Sequence, residues 1–533
     1  MKKWFLMPLV AAFFFVGCSD KKKPKLVVFI VVDQGMPELL NKYDHLFTGG
    51  YRWLKDNGIS FSNTHHDYGY TVTGPGHFVL SSGRYPSSGG VIGNFWFNRD
   101  TKESWYCVED TIATDVINGN AGRSYKNINV TTLGDWLKTS NLNAKVVSIS
   151  GKDRAAVLLG GKNPDMSLWY GKHGGWTTST YYSSNIPDWV SSFNSQLNVP
   201  SYVDTVWNRL LDESIYTSNT RADHYEGEAD WSQDNGYSPT FPITFKERGI
   251  KSMLGSFPYT PFGDAAMLQL GLIATEKHEL GEDENTDILF LGLSATDGVG
   301  HEFGPHSHEQ LDNYLRVDKH LGSFIESIES SVGIGNTLYI LTSDHGSIEL
   351  PEYLKAKGID AGRISKPTKD SLYTDVKTKI ELQIGINKVY RNGNSFYYND
   401  SMNQLERELA TDILKSSLLK LDGIRSVITK KEILEGGNSV YERRLKNMVH
   451  PQKSPDVFLI PKEYWTFRFP YGASHGTPYD YDTHIPLLFS RGGFNSKVNS
   501  KRIESVDIAP TISKYLNVQF PENIDGKAIP LEE

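Results

Sequence analysis

The chain has 533 residues, 38% of them apolar and 22% charged, and its 55 Lys and Arg against 63 Asp and Glu leave a net charge of −8 with His neutral. These proportions suit a globular protein with an ample core and exclude wholesale disorder and collagen-like repeats. The acidic balance speaks against nucleic acid as a partner, which is usually met by a basic domain, but it leaves room for a local cationic site.

In chain order, the first feature is a leader. Lys2 and Lys3 precede an apolar run from Trp4 to Val16. That is the form of a signal peptide, too short to span a bilayer comfortably. The run ends in Phe15-Val16-Gly17-Cys18 and then turns polar, which resembles the lipobox of exported bacterial lipoproteins. Residues 1–17 are therefore expected to be removed. Lipidated Cys18 becomes the mature N-terminus, with residues 18–24 as a tether and residues 25–533 as the catalytic part. An ordinary signal peptide with an incidental Cys is the alternative. Membrane contact is expected through this lipid alone, in the periplasm or at the outer membrane. Only two Cys exist, so Cys107 is left without a disulfide partner and a Cys-rich metal site is excluded. Any metal must be held by His and carboxylates.

Five apolar runs follow: Leu26 to Asp33, Ala144 to Ser150, Asp287 to Asp297, Asn336 to Asp344 and His484 to Phe489. Their continuous β-branched character predicts strands buried on both faces. Helical patterns lie between them, at Ala265 to Lys277 and Glu309 to Ser331. The alternation predicts an α/β fold, a mostly parallel central sheet with helices on both faces. Two stretches read as additions. Residues 163–260 are rich in Trp, Tyr, Ser, Asn and Gly and read as a long decorated loop region. Residues 348–455 read as an α+β cap with a hairpin across an Asn-Gly turn, a helix near Met402 to Leu419 and a strand near Arg425 to Thr429.

Three of the apolar runs end in Asp, and in open α/β sheets the ligand site lies beyond the carboxyl ends of the strands. Asp33, Asp297 and Asp344 are thus candidates for one shared site. Asp297 and His301 are four apart, the spacing that puts both on one face of a helical turn. Asp344 and His345 are adjacent, and His475 lies in a loop of small residues. Oxygen and nitrogen donors without thiolate suit zinc or a similar divalent ion. In Thr73-Gly74-Pro75-Gly76-His77, Pro75 suits a first helical turn. Thr73 then stands at a helix N-terminus, where an anion is favoured and a hydroxyl beside a cation can be activated. Lys152 and Arg154 follow a strand and are spaced to reach one phosphoryl group. Asn94 offers an amide in a turn. Each motif alone also has an ordinary reading, as a helix cap or a solvated turn.

Taken together, the set resembles the alkaline phosphatase superfamily and, within it, the PafA-type alkaline phosphatases. The resemblance covers the chain from Pro24 to Leu531. It is carried by VVFIVVDQ around Asp33, YTVTGPGH around Thr73, GNFWF, SGKDRA, TPFG, SATDGVGHEFGP, TSDHG, SHGTPYDYDTHIPLLF and VDIAPTI. One departure is Ser88-Gly89-Gly90, where the family usually continues with His-Gly after Arg84-Tyr85-Pro86. The resemblance implies hydrolysis of small-molecule phosphate monoesters through a phosphothreonine on Thr73. It implies two zinc ions per chain: one on Asp33, Thr73, Asp344 and His345, the other on Asp297, His301 and His475. It also implies that Asn94, Lys152 and Arg154 hold the phosphoryl oxygens. A phosphodiesterase or nucleotide pyrophosphatase of the same superfamily is the nearest alternative. A non-catalytic surface lipoprotein, resting on the aromatic stretch from Trp169 to Trp231, is the alternative of another class.

Overall fold

The computed structural model describes residues 23–229, 240–246 and 249–531. The leader, Cys18 and Trp231 lie outside the described residues. Strand β1, Leu26–Val32, is the middle of a nine-stranded sheet. The other strands, in chain order, are β2 Gly58–Phe61, β3 Val146–Ser150, β4 Met166–Gly171, β5 Gly175–Thr177, β6 Asp287–Leu293, β7 Thr337–Thr342, β8 Leu487–Arg491 and β9 Lys497–Asn499. Their order across the sheet is β5-β4-β3-β6-β1-β7-β8-β2-β9. All but β5 and β8 run parallel to β1.

The apolar runs form strands because both faces of the sheet are covered. Successive side chains of β1 alternate between the two faces. Val28, Ile30 and Val32 enter one core with the helices Pro261–Lys277 and His308–Val332. Val27, Phe29 and Val31 enter the other with the helices Leu133–Ser140 and Ile508–Tyr515. A one-residue slip of β1 would exchange the two sets, so its register is firmly specified.

Two expectations need correction. The run His484 to Phe489 is not one parallel strand. Pro486 interrupts it, since proline has no N–H for a ladder. His484–Ile485 pairs with Thr64–His65, and β8 beyond it runs antiparallel to β7. The described residues of 163–260 are not mainly loop. They supply β4 and β5, the helix Asp188–Leu197 and buried Trp176, Trp207, Tyr216 and Phe245, which join the same core as Val28. The strands are short and their alternation is masked by aromatics on both faces. Leu168 and Tyr170 point to one core and Trp169 to another.

The inserted unit has its own sheet, in the order Val389–Asn392, Ser395–Tyr398, Val457–Pro461, Ile424–Thr429, all antiparallel. The helix Gln404–Leu418 packs on it around Ala410, Leu414 and Leu418. Its third strand lies beyond residue 455, and the pairing of Trp465–Thr466 with Gly362–Arg363 carries the unit to Thr466.

Candidate active site

Strands β6, β1 and β7 are neighbours with aligned carboxyl ends, Val32 opposite Leu293 and Val31 opposite Thr342. Asp33 leaves β1 with its N–H donated to Leu293 O at 2.9 Å. Gln34, at φ 63, then turns the chain sharply. It donates its N–H to Asp344 Oδ1 at 3.2 Å and its Nε2 to Asp297 Oδ1 at 3.1 Å. Ser343 ties the second strand end to the first, accepting from Gly35 N–H at 2.8 Å and donating to His345 O at 2.7 Å.

Asp297 is not at a strand end. It lies in the first turn of the helix Ala295–Phe303, with His301 one turn on. Asp264 holds that helix start, accepting from Ser294 N–H at 2.8 Å and Ala295 N–H at 3.2 Å. Burial raises the Asp264 carboxyl to about 7 against these donors.

The three imidazoles share one arrangement. Nδ1–H donates to a backbone carbonyl: His345 to Gly346 O at 3.0 Å, His301 to Ala473 O at 2.8 Å and His475 to Thr71 O at 2.8 Å. A carbonyl can only accept, so in the neutral ring Nε2 keeps its lone pair. Each Nε2 faces carboxylates. His345 Nε2 is 3.5 Å from Asp33 Oδ1 and 3.3 Å from Asp344 Oδ2. His301 and His475 Nε2 are 3.2 Å and 3.5 Å from Asp297 Oδ1. Burial holds the His345 and His475 pKa values below the ordinary imidazole value, which keeps both neutral. Their rings stack at 3.6 Å between centroids.

Donor atoms of Asp33, Asp344 and His345 lie within 4.8 Å of one another, as do those of Asp297, His345 and His475. His345 stands at the junction of the two groups. Asp33 Oδ1, Asp344 Oδ2 and His345 Nε2 are buried without a hydrogen-bond partner. Such buried lone pairs are costly unless something positive meets them. Carboxylate oxygens and imidazole lone pairs, oriented by backbone bonds to the far nitrogen, are a donor set that fits a divalent cation.

Lys152 supplies part of the positive charge. Its buried Nζ lies 2.5 Å from Asp33 Oδ2 and 2.6 Å from Asp297 Oδ2. Burial opposes its charge, but Asp297 and Asp33 outweigh it and raise its pKa. Burial also raises Asp33, with the nearby Asp344 charge adding to it. Asp297 is held low against burial by His301 and Lys152.

Thr73 is the first residue of the helix Thr73–Ser82 and is 1% exposed. Arg154 Nη2 donates to its Oγ at 3.2 Å. Gly74 N–H donates to Asn94 Oδ1 at 2.7 Å, so the Asn94 amide nitrogen remains as a donor. His77 Nδ1 lies 2.9 Å from Thr73 O and 3.3 Å from Asp344 Oδ2, joining the helix that begins at Thr73 to the Asp344 cluster. Gly76 permits that approach, since a Cβ there would be 2.4 Å from Asp344 O. Asp153 fixes the Arg154 turn by accepting from Tyr106 Oη and, at 2.9 Å, from Arg123 Nε. Asp67 anchors the loop before Thr73. This buried carboxylate faces Arg443 at 3.3 Å and Arg444 at 3.7 Å, both from the inserted unit, and Arg502 at 3.1 Å.

All ten residues singled out for the site are thus brought to one end of the sheet. Gln34, Asp264, His77 and Tyr106 were not singled out. Gln34 adjoins Asp33 and His77 stands one helical turn after Thr73, and that proximity was their only signal. Asp264 and Tyr106 act across the fold and left none.

Comparison with known proteins agrees with this geometry. The profile of the type I phosphodiesterase / nucleotide pyrophosphatase family matches residues 27–484. Alkaline phosphatase PafA of Elizabethkingia meningoseptica is 33% identical over 99% of this chain and 98% of its own. Alkaline phosphatase PhoV of Synechococcus elongatus is 34% identical, over 95% and 92%. The crystal structure of wild-type PafA superposes with a TM-score of 0.88 at 31% identity, covering 95% of this chain and 98% of that one. The chain belongs to the type I phosphodiesterase / nucleotide pyrophosphatase family, within the alkaline phosphatase superfamily.

Proposed function

We propose that this protein is a metal-dependent alkaline phosphatase that hydrolyses phosphate monoesters through a covalent intermediate on Thr73. The observation that carries the reading is the Thr73 hydroxyl at a helix N-terminus, 3.2 Å from Arg154 Nη2, on a residue whose backbone carbonyl His77 ties to the Asp344 cluster. In this reading Asp33, Thr73, Asp344 and His345 hold one divalent ion and Asp297, His301 and His475 a second. Zinc best suits the donors. When bound, the ions supply Lewis-acid charge that favours the ionised hydroxyl and offsets charge on the departing oxygen.

Thr73 Oγ gives its proton to solvent and attacks phosphorus in line with the ester oxygen. The Oγ–P bond forms, the P–O bond to the alcohol breaks, and water protonates the departing oxygen. Water then cleaves the phosphothreonine, releasing inorganic phosphate and restoring Thr73. Arg154 and the Asn94 amide hold non-bridging oxygens and counter the charge that builds on them. Lys152 holds Asp33 and Asp297 together beside that group. The reading includes export and lipid attachment at Cys18, which the mass of the mature N-terminal peptide tests.

The test compares p-nitrophenyl phosphate with bis-p-nitrophenyl phosphate on zinc-loaded protein. Monoester turnover should exceed diester turnover. Thr73→Ala should lose monoester turnover on the order of 10⁴-fold, as loss of a nucleophile does. Acid quenching during turnover should trap phosphate on the Thr73 peptide. A diester preference would move the protein to the phosphodiesterase reading with the same donors.

A further inference from the structure

Two cavities meet at Phe95, and they differ in charge. One, of about 610 Å³, has Arg123, Lys152, Asp153 and Arg154 in its wall. The other, of about 490 Å³, opens between the catalytic body and the inserted unit and has Asn94 and His475 in its wall. Among the described residues no Asp, Glu, Lys or Arg lines this second cavity. Its wall is aromatic and amide instead, with Tyr70 and Phe95 from the body and Asn394, Trp465 and Phe467 from the insertion.

Tyr70 is 44% and Phe95 58% exposed. Two large rings beside the nucleophile loop therefore face open space rather than core, an arrangement that marks a binding surface. Tyr70 is wedged between the Asn94 and His475 loops. A Cβ on Gly93 would stand 3.2 Å from its Cε1, and one on Gly476 3.4 Å from its Cε2. On the facing wall Asn394 Oδ1 accepts from Lys369 Nζ and Tyr373 Oη, both at 3.2 Å, which fixes the amide with Nδ2 as its remaining donor.

We infer that this uncharged cavity seats the alcohol part of the ester, and that the enzyme selects phosphate monoesters of uncharged alcohols carrying a planar aromatic group. The inference rests on the phosphomonoesterase reading and specifies its substrate class. An anionic alcohol would lose water there and find no cation in the wall itself, the Lys369 ammonium standing behind Asn394 and Phe467 and already bonded to Asn394 Oδ1. An aromatic ring gains burial against Tyr70 and Phe95. The cavity is continuous with Asn94 and His475, so an alcohol seated in it stays attached to a phosphoryl group at Thr73.

The test measures kcat/KM for methyl, benzyl and 4-carboxybenzyl phosphate, esters of alcohols of similar acidity, on one preparation of the zinc-loaded enzyme. Benzyl phosphate should exceed methyl phosphate by about tenfold, and 4-carboxybenzyl phosphate should fall back to the methyl value or below. Phe95→Ala and Phe467→Ala should each lower the benzyl-to-methyl ratio by about threefold or more. The ratio is independent of the folded fraction, so a poorly folding variant still reports. Benzylphosphonate should inhibit more tightly than methylphosphonate by a similar factor, which reads binding without turnover. Equal benzyl and methyl values, a carboxybenzyl ester as good as benzyl, or unchanged ratios in both variants overturn the inference and leave the phosphomonoesterase reading standing. Hydrolysis of none of the three esters overturns both.

Discussion

The floor of the site and the inserted unit above it are built in opposite ways. The floor draws Asp33, Thr73, Lys152, Asp297 and Asp344 from five distant segments and buries all of them. Its bonds span the fold, as from Gln34 to Asp344 and Asp297 or from Lys152 to Asp33. The insertion closes its helices locally, with capping boxes at Asn403 and Glu406, Thr429 and Glu432, and Ser439 and Glu442. In the floor each charge is another's partner and water cannot replace it, so a single loss leaves a buried ion. In the insertion a lost cap is taken over by solvent. The floor is therefore intolerant of single changes, while the helix caps of the insertion can vary.

That contrast can be broken from either side. The largest effect should come from removing the divalent ions. Chelation should bring turnover to background and lower the unfolding temperature, and added zinc should restore both. Retained activity after exhaustive chelation would dissolve the floor as described. Next, Arg154→Ala should lower monoester kcat/KM on the order of 10²-fold and diester kcat/KM by about tenfold or less, since a diester offers fewer charged oxygens. Equal losses would remove Arg154 from the phosphoryl group.

A smaller effect belongs to the shell beneath the floor. His66 is buried between Ser505 Oγ at 2.7 Å and Ser343 O at 3.2 Å. Burial lowers its pKa from 6.5 to about 3. Between those values the folded chain binds fewer protons than the unfolded one. Its contribution is thus full above pH 6.5 and is lost as pH falls toward 3. Urea unfolding should show about 2 kcal/mol less stability at pH 5 than at pH 7.5 from this residue, a dependence that His66→Gln removes. The smallest effect lies in the insertion: Asn403→Ala should cost about 1 kcal/mol in unfolding and leave kcat/KM unchanged. A drop in turnover there would show that the two regions are not independent.

The sequence was most legible where one physical rule acts alone. Asp33 and Asp344 stand at the ends of β-branched runs, and strand ends are where such sheets place ligands. Asp297 and His301 announce themselves by helical spacing. Direction was not legible: β8 has the apolar composition of a parallel strand, and only the pairing across the sheet sets it antiparallel. Nor was the partner of Lys152, because Asp33 and Asp297 reach it from segments 119 and 145 residues away. Asp264 has the same difficulty, capping a helix 30 residues downstream.

The anchor at Asp67 bears on how this enzyme could be re-engineered. Two of its three arginines, Arg443 and Arg444, belong to the insertion, while the carboxylate belongs to the loop that carries Thr73. An insertion grafted from a relative must bring both guanidinium groups in register, or the graft leaves the Asp67 carboxylate with Arg502 alone, six residues before Thr73. Excising the unit altogether has the same result. The overhang can be redecorated, but it cannot be unplugged.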